Sequence, residues 1–240
     1  MNNYAFGVYS CTLTAMASDG KLRVGIVGAS GFTGAELMRL IAAHPHMELA
    51  AASGDTQAGT KVRSLYPSLA ADFGDVTYSG YQPTLFEGLD AVFLGLPHMA
   101  SQPIVADLYQ KVGCVLDLGS DFRLKDPALY PQWYQTDHLM PELLDEFVYG
   151  LPELYRTDLK GARGVAVPGC YPTSASLALS PFAQQEKIHL TGVIVDAASG
   201  ISGAGRTPKP ETTFASVDEN FNAYGLLNHR HTPEIEQVTG

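Results

Sequence analysis

A largely apolar run, Leu22 to Val27, breaks without a linker into Gly28-Ala29-Ser30-Gly31-Phe32-Thr33-Gly34. Hydrophobic residues then return at helical spacing as Leu37, Leu40 and Ile41, before Pro45. A strand, a glycine turn and a helix in immediate succession leave few folds open, because the turn must be tight and the strand buried. Met47 to Ala52 reads as a second strand and completes a βαβ unit. Ala91 to Leu96 and Val115 to Leu118 read as further strands, with Ile104, Val105 and Leu108 marking a helix between them. This alternation predicts an α/β fold: a Rossmann-like parallel sheet, covered on both faces, over residues 21–169. Pro and Tyr crowd the stretch from Pro127 to Pro152, which is expected to be irregular. After Gly169 the texture changes. Ala175 to Ala183 suits a helix and Gly192 to Ala197 a strand, followed by a Gly/Ser-rich loop, so residues 170–240 are expected to form a second, α+β unit.

Composition narrows the partners. Fifteen Lys and Arg stand against 25 Asp and Glu, a formal charge of −10, which argues against a nucleic-acid surface while leaving room for a local basic pocket. No apolar run reaches membrane-spanning length. Three cysteines (Cys11, Cys114 and Cys170) make no disulfide scaffold and no CxxC pair, and the histidines show no HExxH spacing. No metal site is therefore expected, and the reducing cytoplasm is the default setting. Residues 1–20 lack Lys and Arg and read as a disordered leader, with Met16 as an alternative start.

The glycine loop has the spacing GxxGxxG. Glycines at a strand-to-helix turn let the backbone approach a pyrophosphate, whose charge the helix N-terminus favours. Gly28, Ser30, Gly31, Phe32, Thr33 and Gly34 are the candidate contacts, and a ligand-free glycine turn is the plainer alternative. A site for NAD places an acid about 20 residues on, at the end of the second strand. That strand ends here at Ser53, a small hydroxyl residue, with Lys61 and Arg63 downstream. The pattern leaves room for a ribose 2′-phosphate and favours NADP as cofactor, with Asp55 keeping the ribose-hydroxyl alternative open.

Cys170 lies between Gly169 and the expected helix near Thr173. A helix start favours thiolate, the reactive form, although a lone cysteine is as readily a structural one. Cys114 sits in an apolar stretch and reads as core. Acyl chemistry on a thiolate needs a proton carrier, and the segment His229-Arg230-His231-Thr232-Pro233-Glu234 offers His231, which Glu234 would orient across a helical turn. Solvated histidines on a capped helix are the alternative. Ala198 to Arg206 is a Gly/Ser loop able to present N–H groups to an anion, and Arg123 in Ser120-Asp121-Phe122-Arg123 could clamp a carboxylate or phosphate or pair with a nearby acid.

The motifs GASGFTG, LGLPH (Leu94–His98), SDFR, YGLPE (Tyr149–Glu153), VPGCYPT, SGISGAGR and HRHTPEIEQ occur in this order between Lys21 and Gly240. The chain in this respect resembles the N-acetyl-gamma-glutamyl-phosphate reductase family. The resemblance implies a second domain of the semialdehyde dehydrogenase type, catalytic and dimerising, and a homo-oligomer, dimer or tetramer. It implies NADPH-dependent reduction of an N-acetylglutamyl phosphate to the semialdehyde in arginine biosynthesis. Cys170 would be the nucleophile and His231 the general acid/base. Arg123, Ser202, Arg206 and Glu234 would line the substrate or phosphate pocket, and His98 would lie near the nicotinamide. The alternatives are the same chemistry on an aspartyl or carrier-bound aminoadipyl phosphate, or an inactive nucleotide-binding module. Chains of that family run on past the point corresponding to Gly240, so the second domain is expected to be incomplete.

Overall fold

The computed structural model describes residues 20–240. The leader expected at 1–20 (apart from Gly20), the two candidate starts and Cys11 lie outside the described residues. Six strands form one wholly parallel sheet: β1 (Leu22–Val27), β2 (Met47–Ser53), β3 (Ala91–Leu94), β4 (Cys114–Asp117), β5 (Phe147–Tyr149) and β6 (Gly164–Ala166), in the order β2-β1-β3-β4-β6-β5. Val24 and Ile26 on one face of β1 and Val27 on the other are buried, as a strand covered on both faces requires. Alternate residues feed opposite cores. Val24 and Ile26 pack with Met38 and Ile41 of α1 (Phe32–Ala42), whereas Val27, Val92 and Leu94 pack with Val105 and Leu108 of α2 (Gln102–Leu108).

The register aligns the strand ends. Ser53, Val27, Leu94, Asp117, Ala166 and Tyr149 form one row across all six strands. The chain leaves β1 for β2 on one side and returns to β3 on the other, which opens a crevice beyond the carboxyl ends of β1 and β3. Every loop that carries a candidate residue from the sheet leaves from this row.

Two more helices frame the site: α3 (Cys170–Ala183), capped at Gly169, and α4 (Thr232–Thr239), which pack against each other. Pro172 and Pro233 fall in first turns, where the missing N–H has no intrahelical partner. Three expectations are corrected. The helix after Gly169 starts at Cys170 itself rather than near Thr173. The stretch from Pro127 to Pro152 holds a short helix, Leu129–Tyr134, and strand β5. Gly192 to Ala197 is not a strand. No edge pairs with it among the described residues, and Ile194 is 86% exposed; apolar residues without a neighbouring edge cannot form a ladder.

Candidate active site

The glycine loop is built as a cradle. Gly28 has φ +86°, and a Cβ there would strike the carbonyl of Gly95 in the loop after β3. At Gly34 a Cβ would meet the backbone of Ala29, so this glycine lets α1 sit close on the sheet. Gly31 is different. Its φ is ordinary, and the nearest atom to an added Cβ is the Gly28 carbonyl oxygen at 3.5 Å. The protein itself does not require a glycine at this point, but a phosphate brought against the backbone would. No side chain caps α1, so N–H groups of its first turn, around the exposed Phe32 and Thr33, remain available to an anion. Ser30 is buried, with its side chain against Gly54 and its carbonyl accepting from the Tyr66 hydroxyl at 2.9 Å. These features fit a dinucleotide.

Cys170 is exposed at the first position of α3, whereas Cys114 is buried in β4. His231 Nε2 lies against the Cα of Gly169, where any side chain would collide with it, one residue from the thiol. Its ring stacks edge-on against Tyr171 and lies 4.8 Å from that of His229. Burial pushes the His231 imidazole down to about 3, and Arg123, His229, His98 and Arg230 reinforce the shift. The ring is therefore neutral near pH 7. Its Nδ1 is buried without a partner.

Glu234 does not bond that ring. Its fully buried carboxylate accepts from the Tyr149 hydroxyl (2.7 Å) and the Gly169 N–H (2.9 Å) through Oε1, and from Arg123 (3.4 Å) through Oε2. Arg123 in turn donates to the carbonyls of Val167 and Leu118, each at 2.8 Å. The pair thus fixes the residue preceding Cys170 rather than orienting the imidazole. Gln237 adds a clasp from α4: it accepts from the Lys125 N–H (2.8 Å) and donates to the Arg123 carbonyl (2.9 Å).

His98 leaves the end of β3 and meets the Ser120 hydroxyl through Nδ1 at 2.9 Å; burial, Arg230 and Arg123 lower its pKa. The loop that carries it is held from below by Asp121, which accepts from the N–H groups of Met99, Ser101 and Gln102. Beside it, Asp117 shares a 2.6 Å bond with Ser101 and is pushed up to about 7 by burial, then by Asp121. Sequence reasoning missed Tyr149, Asp117 and Asp121. Tyr149 and Asp121 stand inside the YGLPE and SDFR motifs, which were the available signal.

The other candidates are more dispersed. Ser53 is buried at the end of β2, and its carbonyl accepts from Gly28 and Ala29. Arg63 donates to the Gly74 carbonyl and, with Lys61, to Asp75 on the surface. Asp55 accepts from the Tyr81 N–H. Ser202 lines a cleft of about 390 Å³ with Gly203, Phe32, Thr33 and Leu118, so the loop of residues 201–204 lies across the start of α1. Arg206 follows on that loop, half-buried. Among the described residues, no group of His, Cys, Asp or Glu side chains is placed to hold a metal ion, and no helix is long and apolar enough to cross a membrane.

Comparison with known proteins accords with this geometry. Among curated relatives, N-acetyl-gamma-glutamyl-phosphate reductases of Symbiobacterium thermophilum and Magnetococcus marinus are 45% and 46% identical to the chain, each over 90% of it and 62% of the relative. The chain thus spans about 62% of the length of these relatives. Aspartate semialdehyde dehydrogenases from Candida albicans (described with NADP) and Vibrio cholerae superpose with TM-scores of 0.50 at 16% and 15% identity. They cover 70% and 78% of this chain and 48% of each of those chains, and share its fold. Residues 170–240 match the family described as semialdehyde dehydrogenase, dimerisation domain. Residues 23–162, more than half of the chain, match semialdehyde dehydrogenase, NAD binding domain, and the chain belongs to the semialdehyde dehydrogenase family.

Proposed function

We propose that this chain carries the cofactor-binding and catalytic residues of an NADP-dependent N-acetyl-gamma-glutamyl-phosphate reductase of arginine biosynthesis. The observation that carries the reading is the placement of His231 against Gly169, with the exposed Cys170 next in the chain at the head of α3. The reaction converts an N-acetylglutamyl phosphate to the corresponding 5-semialdehyde and inorganic phosphate. Gly28, Ser30, Gly31, Phe32, Thr33, Gly34 and Ser53 would hold the dinucleotide, with His98 over the crevice. When bound, the reduced nicotinamide supplies a hydride.

The chain's own residues do the rest. His231 Nε2 takes the thiol proton, and Cys170 Sγ attacks the acyl carbon. The C–O bond to phosphate breaks, leaving a thioester on Sγ. Once that carbon is reduced, His231 handles the proton of the resulting thiohemiacetal as the C–S bond breaks and the aldehyde leaves. Arg123 and Arg230, whose charge is felt at both His231 and His98, make the site electropositive and suit an anionic acyl phosphate. The names of the relatives favour the N-acetylglutamyl substrate over aspartyl or carrier-bound aminoadipyl phosphates. Assembly with a second copy would run through residues 170–240, and a reducing cytoplasm suits an exposed nucleophilic thiol.

The test is NADPH oxidation with release of phosphate, measured on the three acyl phosphates in turn. Turnover confined to the N-acetylglutamyl compound is expected. Tight NADPH binding without turnover on any of them would instead identify a nucleotide-binding module.

A further inference from the structure

Met99, directly after His98, has φ +62°, in the left-handed region. A residue with a Cβ is disfavoured there, and such a conformation persists only where its surroundings hold it. Two things hold Met99. Its side chain packs on the core that α2 covers, and its N–H donates to Asp121 Oδ2 at 2.7 Å. Asp121 is fully buried, and its Oδ1 accepts the N–H groups of Ser101 (2.8 Å) and Gln102 (3.3 Å) at the start of α2. None of the ion pairs among the described residues reaches this carboxylate. Burying it is costly, but a carboxylate alone offers acceptors on both oxygens and no donor. The two loops meet too closely for a side chain between them. A Cβ at Gly119 would lie 2.7 Å from Ser101 Oγ and 3.3 Å from Asp121 Oδ2.

Capping α2 would need only the bonds to Ser101 and Gln102; the bond to Met99 lies outside the helix. What it serves is the neighbouring ring. His98 keeps an exposed side, while its Nδ1 meets Ser120 Oγ at 2.9 Å and the Tyr134 ring lies 6.0 Å off. Consecutive residues of one turn thus hold consecutive residues of the other: the Ser120 hydroxyl holds the ring and the Asp121 carboxylate holds the backbone after it. Arg123, on the same turn, donates to the Val167 carbonyl and to Glu234, which accepts the Gly169 N–H. The turn therefore ties the loop after β3 to the residue before Cys170.

We infer that Asp121 is a positioning residue for His98: by holding Met99 left-handed it sets the direction of the imidazole and so its place relative to the Cys170 thiol. The aim of the ring is a property of the chain alone. Its consequence for binding rests on the reading that His98 faces the nicotinamide.

Histidine titrations of the 240-residue chain by NMR, with His98 assigned through His98→Gln, test it without a ligand. In wild type, burial, then Arg230 and Arg123, keep His98 below its ordinary 6.5. Asp121→Asn sets an NH2 against a backbone N–H; the released ring should titrate higher, toward 6.5. Loss of a negative charge by itself would move it lower. Met99→Asn, which tolerates the left-handed region, should restore the wild-type titration in the Asp121→Asn background. Met99→Val, which does not, should raise the His98 titration with Asp121 intact, and serves if Asp121→Asn does not fold. NADPH should bind about tenfold more weakly to both single variants, while adenosine 2′,5′-bisphosphate, which lacks the nicotinamide, binds as to wild type. A His98 titration unmoved in Met99→Val, or lowered in Asp121→Asn, overturns the inference. A raised titration with unchanged NADPH binding upholds it and removes His98 from the nicotinamide.

Discussion

At the scale of single residues, the site rests on small differences in what surrounds a group. Cys170 and Cys114 are both thiols, but one heads a helix at the surface and the other is packed inside β4. Replacing Cys170 by Ser should abolish the acyl-enzyme, read by intact-mass spectrometry after mixing with acyl phosphate, and lower turnover by several orders of magnitude. NADPH binding should survive, since a hydroxyl is far less acidic than a thiol but no larger. Retained acyl-enzyme in this variant would remove Cys170 from the chemistry. The glycines separate in the same way. Gly34→Ala must push on the Ala29 backbone and should cost about 1–3 kcal/mol in a urea melt. Gly31→Ala has room in the protein and should melt nearly as wild type, yet bind dinucleotide at least tenfold more weakly. If both variants bind normally, no phosphate approaches this loop.

At the scale of elements, helix α4 is fastened to the sheet domain by a buried carboxylate. Glu234→Ala would leave Arg123 buried without its counter-ion and the Tyr149 hydroxyl and Gly169 N–H without an acceptor. A loss of about 3–5 kcal/mol is expected from denaturant unfolding, with Glu234→Gln recovering part of it; a neutral Ala variant would show that α4 is held some other way. None of this was legible in the sequence. Glu234 lies 85, 65 and 111 residues from Tyr149, Gly169 and Arg123, and no periodicity spans such distances. The turn from β1 through Gly28 to α1 was legible because buried parallel strands read as unbroken apolar runs and the glycines punctuate them. Strands β5 and β6 have three residues each, too few to show a pattern. The apolar run Gly192 to Ala197 misled for the opposite reason: it has strand composition and no neighbour.

At the scale of the whole molecule, two buried titrations oppose each other. Asp117 holds its proton up to about pH 7 in the native state against 3.8 in a free side chain. Between about pH 4 and 7 this group therefore binds more proton in the folded state than in the unfolded one, and its contribution to stability falls as pH rises. His231 runs the other way. With a native value of about 3 against 6.5, it contributes stability above pH 6.5 that is lost as pH falls toward 3. Asp117→Asn removes the first component only. Its stability relative to wild type should climb with pH by about 1.4 kcal/mol per unit between pH 4 and 7, measured by urea unfolding across that range; a constant difference would mean that Asp117 is ionised throughout. The clasp between Gln237 and residues 123–125 closes a span of 112 to 114 residues. Contacts so distant along the chain are costly in loop entropy and form after local structure is in place. The sheet can consequently be complete while Cys170 still lacks His231 beside it, and under the proposed mechanism a fluctuation that lifts α4 would stop turnover before the fold itself gives way.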